Sequence, residues 1–179
     1  MEYFLLLSIA LFIGVSAWTV SYVGKEKRRT ISQHVAKSRL TQIVFGAVAL
    51  LATLLASCVI FADILPHYRS SEIGYGIFGL VMACFLVAAV VPYIKGTRRG
   101  QVHDIAAWGV CYLIPIAIFV SLFWPLSDLA WQLSFGLLIA VCLLLLLLAT
   151  VKSLRRQFLG LQSLYLGLFF VYLVVITYL

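Results

Sequence analysis

Long apolar stretches separated by short polar connections dominate the chain. Six of them reach the roughly 20 residues that a helix needs to cross the hydrocarbon core of a membrane. They lack the alternation of a barrel strand and are about twice the length of one. The pattern therefore predicts six transmembrane helices. The predicted spans are Tyr3–Val23, Leu40–Leu65, Ile73–Ile94, Ile105–Trp124, Leu129–Val151 and Phe158–Leu179.

Composition excludes a soluble or a disordered chain. Of the 179 residues, 64% are hydrophobic and 11% are charged, and the mean hydropathy is +1.13. A soluble domain is about 45–50% apolar and about 25% charged, so this chain could not cover itself with polar surface in water. A disordered chain needs low hydrophobicity. Because the spans use nearly the whole sequence, we expect one all-α, six-helix transmembrane domain over residues 1–179.

Basic residues are concentrated in alternate connections between the spans. Of the 13 lysines and arginines, 12 lie in Lys25–Arg39, Lys95–Arg99 and Lys152–Arg156, and the remaining one is Arg69. Connections that follow odd-numbered spans lie on one side of the membrane, and the side rich in lysine and arginine is normally cytoplasmic. The sequence therefore predicts a multi-pass protein of the cytoplasmic membrane with both termini outside.

The net charge of +7 has a simpler source than nucleic-acid binding. Basic residues next to spans hold the topology and contact anionic lipid head groups. A nucleic-acid interface needs a basic face with elements that read bases, and the sequence offers no such element. We therefore expect membrane lipids as partners and no nucleic acid. A membrane-protein partner or a second copy of the chain is the alternative.

The first basic connection carries a helix-start signal. Thr30-Ile31-Ser32-Gln33 has the form of a capping box, in which the threonine and glutamine side chains each accept a backbone N–H of the other. Three structures fit this signal. They are a short interfacial helix, a polar loop, and an extension of the second span.

Local signals predict kinks, a cap and close contacts in the other spans. Pro92 and Pro115 fall inside the predicted third and fourth spans, where each removes one backbone hydrogen bond. Asp104 opens the predicted fourth span and is expected to accept its first N–H groups. Small residues allow helices to approach closely. Such stripes are Ala49, Thr53 and Ser57 in the second span and Gly76, Gly79 and Ala83 in the third.

Polar side chains that could bind a ligand gather at one interface. They lie in or beside the basic connections, where they could surround a lipid head group or contact a partner protein. The sequence has no CxxC pair, metal-ligand spacing or known hydrolase motif, so we predict no catalytic residue, metal or cofactor. The candidate ligand- or partner-binding residues are His34, Arg39, Gln42, His103, Asp104 and Gln162.

Three other functions remain alternatives to a lipid-binding or adaptor role. The first is an enzyme that acts on a lipid head group at the same rim. The second is a small b-type cytochrome, in which His34 and His103 would ligate haem. The third is a small-solute carrier, although the spans lack the buried charges that ion pathways and proton relays use.

Three short segments carry a resemblance to a known family. Ile31-Ser32 follows the first span, Val102–Ala107 opens the fourth, and Gly160-Leu161-Gln162 begins the sixth. In this order they resemble the DUF998 family of six-span bacterial and archaeal membrane proteins, and more distantly the Frag1/DRAM/Sfk1 group. Ser163 departs from the family's pattern, which has arginine there. The resemblance implies a lipid-associated or adaptor role and supplies no catalytic residue.

Overall fold

The computed structural model describes residues 2–151 and 157–179. Within these ranges every regular element is helical, and six helices are long and apolar enough to cross a membrane. The predicted six-span, all-α architecture is therefore confirmed. The fifth connection, Lys152–Arg156, lies outside the described residues. The spans are Tyr3–Val23, Arg39–His67, Glu72–Val90, Arg98–Ser121, Asp128–Thr150 and Phe158–Tyr178.

Each span packs against the next one along the chain. Short connections dictate this order, because they leave room only for antiparallel neighbours. The second span ends in a π-helical turn, Ile60–Ile64, followed by a last α-helical turn. Among the described residues, the sixth span meets the first over a narrow contact. A groove between these two spans results.

One end of the bundle carries most of the charge. We call it the basic end and define it by the connections after the first and third spans, 24–38 and 91–97. The sixth span starts at the same end, because the Leu159 N–H donates to the Lys27 carbonyl at 3.3 Å. The first and third spans therefore end here, and the sixth span begins here.

The opposite end is closed by aromatic contacts. It carries the connections 68–71 and 122–127. Tyr68 stacks on Trp124 with 5.2 Å between ring centroids, and its hydroxyl donates to the Ile176 carbonyl at 2.8 Å. A tyrosine of this kind packs its ring and still satisfies its hydroxyl. These contacts join the second, fourth and sixth spans.

Phenylalanine rings fill the middle of the bundle. Phe12 makes edge-to-face contacts with Phe45, Phe85 and Phe170 at centroid distances of 6.0, 6.4 and 5.6 Å. Aromatic pairs in this geometry add about 0.5–1.5 kcal/mol beyond their burial. Because the four rings belong to the first, second, third and sixth spans, they tie four helices together.

Pro92 ends the third span and does not kink it. The helix stops at Val90, and Val91 is extended with φ −87° and ψ 111°. Proline disfavours the helical conformation in the residue before it, which explains the stop. The prediction that Pro92 lies inside a span reaching Ile94 is therefore wrong. Pro115 does lie inside the fourth span, as predicted.

The fourth span begins earlier than predicted, at Arg98. Its N-cap is Thr97, whose hydroxyl accepts the Gly100 N–H at 3.1 Å. A threonine that accepts the third amide of a helix is a favoured cap. The predicted capping role of Asp104 is therefore wrong, and this residue lies exposed in the second turn. The charged residues before Ile105 extend the helix beyond its apolar segment.

The small-residue prediction holds for the second span, and in the third it holds only at Gly79, where a Cβ atom would lie 3.9 Å from the Phe61 ring. Ala49 is fully buried. Gly76 and Ala83, in contrast, are exposed. The close approach of the third and fourth spans instead occurs at Gly109, where a Cβ atom would lie 2.7 Å from the Cys84 sulfur.

Candidate functional site

A five-residue helix, Ile31–Val35, lies across the basic end between the first and second spans. It begins with the predicted capping box. Thr30 Oγ1 accepts the Gln33 N–H at 3.2 Å, and Gln33 Oε1 accepts the Thr30 N–H at 3.1 Å. Of the three structures that the sequence allowed, the chain forms a separate short helix. Its buried residues, Ile31, His34 and Val35, pack into the bundle, so we call it the roof helix.

Gln162 anchors the start of the roof helix to the sixth span. Its Oε1 accepts the Ile31 N–H at 2.8 Å. This amide is one of the first N–H groups of a helix, which have no partner within that helix. A buried donor left without a partner costs about 1–3 kcal/mol. Gln162 therefore stabilises the position of the roof helix.

His103 joins the roof helix to the third and fourth spans. The ring is 5% exposed, with Nδ1 2.7 Å from the Val91 carbonyl and Nε2 2.8 Å from Ser32 Oγ. A carbonyl only accepts, so Nδ1 donates to it, and Nε2 lies where it can accept the Ser32 hydroxyl. The Val91 carbonyl lies just beyond the end of the third span. His103 therefore supplies a hydrogen-bond donor to the Val91 carbonyl, which lies outside the helix because Pro92 follows it.

His34 fixes the turn that precedes the roof helix. It is fully buried, and its Nε2 accepts the Glu26 N–H at 3.1 Å. Its Nδ1 then donates to the Thr30 carbonyl at 2.8 Å. Both nitrogens of His34 are engaged, as are both nitrogens of His103. In this arrangement neither ring presents a nitrogen to a haem iron, so the geometry lends the cytochrome alternative no support.

A cavity of about 320 Å³, which we call the main cavity, lies beneath the roof helix. Ligand pockets typically enclose about 300–1,000 Å³. The fourth span lines it from Asp104 to Cys111, a distance of about 10 Å at the helical rise of about 1.5 Å per residue. Most polar groups lie near the roof, and most of the deeper groups are apolar; the exception is Tyr165, whose hydroxyl donates to the Cys111 carbonyl. The polar set is Arg28, Thr30, Ser32, Gln33, His103, Asp104 and Gln162; the deep apolar set includes Phe12, Phe45, Phe85, Val110, Leu145 and Leu166.

Three exposed residues mark the mouth of the main cavity. They are Arg28, Asp104 and Trp108. Neither Arg28 nor Asp104 forms an ion pair with another residue that the structure describes. Trp108 stacks on Tyr112 with 5.7 Å between ring centroids. Tryptophan is enriched at the membrane–water interface. The mouth thus presents a cation, an anion and an aromatic surface.

Arg39 and Gln42 lie on the other side of the roof helix. They line a smaller cavity of about 260 Å³ beside the second and third spans. Gln42 donates from its amide to the Ala36 carbonyl at 3.3 Å, and Arg39 is exposed. Ser32 and His103 line both cavities, so their hydrogen bond forms part of the wall between them.

Glu26 pairs with part of the positive charge in the first connection. Its carboxylate forms ion pairs with Arg29 and Lys37. The hydrogen bond from Lys37 is the main reason that the pKa of the Glu26 carboxyl is lowered, so this group is ionised at neutral pH. Exposed pairs of this kind contribute little stability. The cations of this connection that form no ion pair within the described residues are Lys25, Lys27 and Arg28.

The structure thus divides the predicted site residues into three groups. His103, Asp104 and Gln162 line the main cavity, Arg39 and Gln42 line the smaller one, and His34 stabilises the connecting turn. Sequence reasoning missed the contact between Ser32 and His103, which are 71 positions apart. It also missed the apolar depth of the cavity, whose residues look like any other core positions.

Comparison of the chain with family models, curated proteins and solved structures found no match. The resemblance to the DUF998 family therefore stays a prediction from short segments. The function has to be argued from the geometry of the site.

Replacing Gln162 with leucine should loosen the roof helix while the bundle stays folded. The change removes the acceptor of the Ile31 N–H and keeps the volume of the side chain similar. We expect hydrogen–deuterium exchange of residues 31–36 to become about tenfold to hundredfold faster. Gln101→Leu, at an exposed position of the same end, is the matched control. Equal exchange rates in the two variants would contradict the anchoring role of Gln162.

Proposed function

We propose that this protein binds one amphiphile, a lipid or lipid-like molecule, in the main cavity beneath the roof helix. The observation that carries the proposal is the division of this cavity. Arg28 and Asp104 lie at its mouth, and aromatic and aliphatic side chains line its depth. An amphiphile has the same division between a polar head and an apolar chain. We further propose that the membrane is the cytoplasmic membrane, with the basic end inside, as the distribution of lysine and arginine favours.

The mouth would supply most of the selectivity. A lipid chain that enters the cavity leaves an environment as apolar as the one it enters, so burying the chain adds little net free energy. Head-group contacts differ from one lipid to another. The Arg28 guanidinium suits a phosphate or carboxylate, and the Asp104 carboxylate suits an ammonium or hydroxyl group. A head group that carries both kinds of polar group fits this pair best.

An adaptor role is compatible with the same arrangement. The roof helix covers the bound molecule on one side and forms part of the basic end on the other. A ligand in the main cavity would contact Ser32 and Gln33 directly. Occupancy could therefore change the surface that the roof helix presents to a membrane-protein partner.

Filling the main cavity should remove its ligand. Ala107 lines the cavity, so Ala107→Phe places a ring inside it, whereas Ala83→Phe places the same ring at an exposed position of the third span. We expect native mass spectrometry of gently purified protein to show a retained amphiphile on the wild type and on Ala83→Phe. Ala107→Phe should retain one amphiphile fewer per chain, because occupancy of the main cavity falls at least about tenfold.

Arg28→Gln provides a second test that does not depend on packing. It should change which head groups are retained while the protein stays folded. Equal retention by the wild type, Ala107→Phe and Ala83→Phe, together with an unchanged set of lipids on Arg28→Gln, would contradict the proposal.

A second candidate function is hydrolysis of an ester in the bound amphiphile. Ser32 Oγ lies 2.8 Å from His103 Nε2, and the Val91 carbonyl orients the ring through Nδ1. A nucleophile beside an oriented base is the arrangement that covalent catalysis needs. Ser32 would attack the ester carbonyl carbon, while His103 would take the hydroxyl proton and pass it to the leaving alcohol. Water would then hydrolyse the acyl-serine.

A fluorophosphonate probe separates the hydrolytic function from simple binding, because it reacts covalently with activated serines. Hydrolysis predicts labelling of the wild type, loss of labelling in Ser32→Ala, and retention in Ser163→Ala, which changes an exposed serine of the sixth span. An unlabelled wild type that still retains its lipid would leave binding as the function.

A further inference from the structure

A second large cavity lies between the first and sixth spans and encloses about 680 Å³. We call it the lateral groove. The first span lines it over residues 12–21 and the sixth over residues 157–170. Phe12, Ile31 and Leu166 line both this groove and the main cavity, so they form the wall between the two.

The lateral groove is about as long as one leaflet of a membrane. Its walls on the first and sixth spans extend over about 14 and 20 Å at a rise of about 1.5 Å per residue. Half of a hydrocarbon core about 30 Å thick is about 15 Å. The groove starts at the basic end and stops at Phe12 and Phe170, in the middle of the bundle. Its length therefore matches one acyl chain.

Two glycines keep the lateral groove open. Gly160 and Gly167 lie two turns apart on the sixth span, and both line the groove. A Cβ atom at either position would have no neighbour within 4 Å. Glycine is unfavourable in the interior of a helix, and neither residue is required here for close contact between helices. A side chain added at either position would therefore enter open space.

Positive charge lies at the mouth of the lateral groove. Lys25 and Lys27 line it, both are exposed, and neither forms an ion pair with a described residue. The backbone of Lys27 is held beside the sixth span by the N–H of Leu159. Glu26, which lies between the lysines in sequence, is paired with other cations. The mouth is therefore complementary to an anion.

We propose that the lateral groove binds an anionic phospholipid from the leaflet at the basic end. The phosphate lies near Lys25 and Lys27, and one acyl chain runs along Gly160 and Gly167. Two unpaired ammonium groups favour an anionic head group over a zwitterionic one. A transmembrane helix of a partner would have to cross both leaflets, whereas the groove extends over one. This site is separate from the main cavity and does not depend on what the main cavity holds.

The test uses the full-length Ala107→Phe protein, in which the main cavity is blocked. Phosphatidylglycerol and phosphatidylcholine with identical acyl chains are titrated in turn, and bound lipid is measured by native mass spectrometry. Lys25→Gln/Lys27→Gln should weaken phosphatidylglycerol binding about tenfold or more and weaken phosphatidylcholine binding clearly less, because only the first lipid carries a net negative charge. Arg98→Gln/Arg99→Gln removes two exposed cations of the same end that do not line the groove, and it is the matched control.

A second pair of variants tests the acyl-chain path. Gly160→Leu/Gly167→Leu fills the groove and should weaken both lipids. Gly136→Leu fills open space elsewhere and should weaken neither. Should the filled variant fail to fold, the lysine variant still decides the matter.

Three results would overturn the proposal. Equal losses in the lysine and arginine variants would reduce the effect to general surface charge. Equal competition by glycerol 3-phosphate and by phosphatidylglycerol would indicate a site for a soluble phosphate. A dimer whose formation excludes lipid would show that a second copy fills the groove. Comparison of the wild type with Ala107→Phe tests the main cavity separately. Failure of one site therefore does not imply failure of the other.

Discussion

Two backbone groups that lack a partner in their own helices organise the basic end. The Ile31 amide starts the roof helix, and the Val91 carbonyl lies beyond the proline-terminated third span. Near a membrane such groups need partners within the protein, because unpaired polar groups are costly there. Gln162 and His103 supply these partners. The roof helix is held over the bundle as a result, and the main cavity exists because the roof spans the space between helices that do not pack closely.

This arrangement favours the proposed binding function over a channel or a carrier. Most polar groups of the main cavity lie at one end, and apart from the Tyr165 hydroxyl its depth is lined by apolar groups as far as the ring of Phe12. A solute path would need polar groups on both sides of the membrane centre, whereas an amphiphile needs them on one. The lateral groove likewise has charged residues, Lys25 and Lys27, at its mouth and apolar residues at its other end. Ile31 of the roof helix lines both cavities and forms part of the wall between them.

The spans were predictable because apolar length is the dominant requirement for crossing a membrane. The errors occurred where local backbone chemistry overrode hydropathy: Pro92 shortened the third span, and Thr97 capped the fourth two turns before its apolar segment. The candidate residues lie at one end of the bundle, but their separate roles were not predictable. His34 turns inward, and the bond between Ser32 and His103 joins positions 71 residues apart. A single sequence carries no signal for such a contact.

The most direct test of the central claim is a cryo-electron microscopy structure of the full chain in lipid nanodiscs. The account predicts elongated density in the main cavity, with its polar end between Arg28 and Asp104 and its other end near Cys111. The density should disappear in a structure of Ala107→Phe. Side chains that collapse into the cavity, or a cavity that holds only separate water peaks, would contradict amphiphile binding beneath the roof helix.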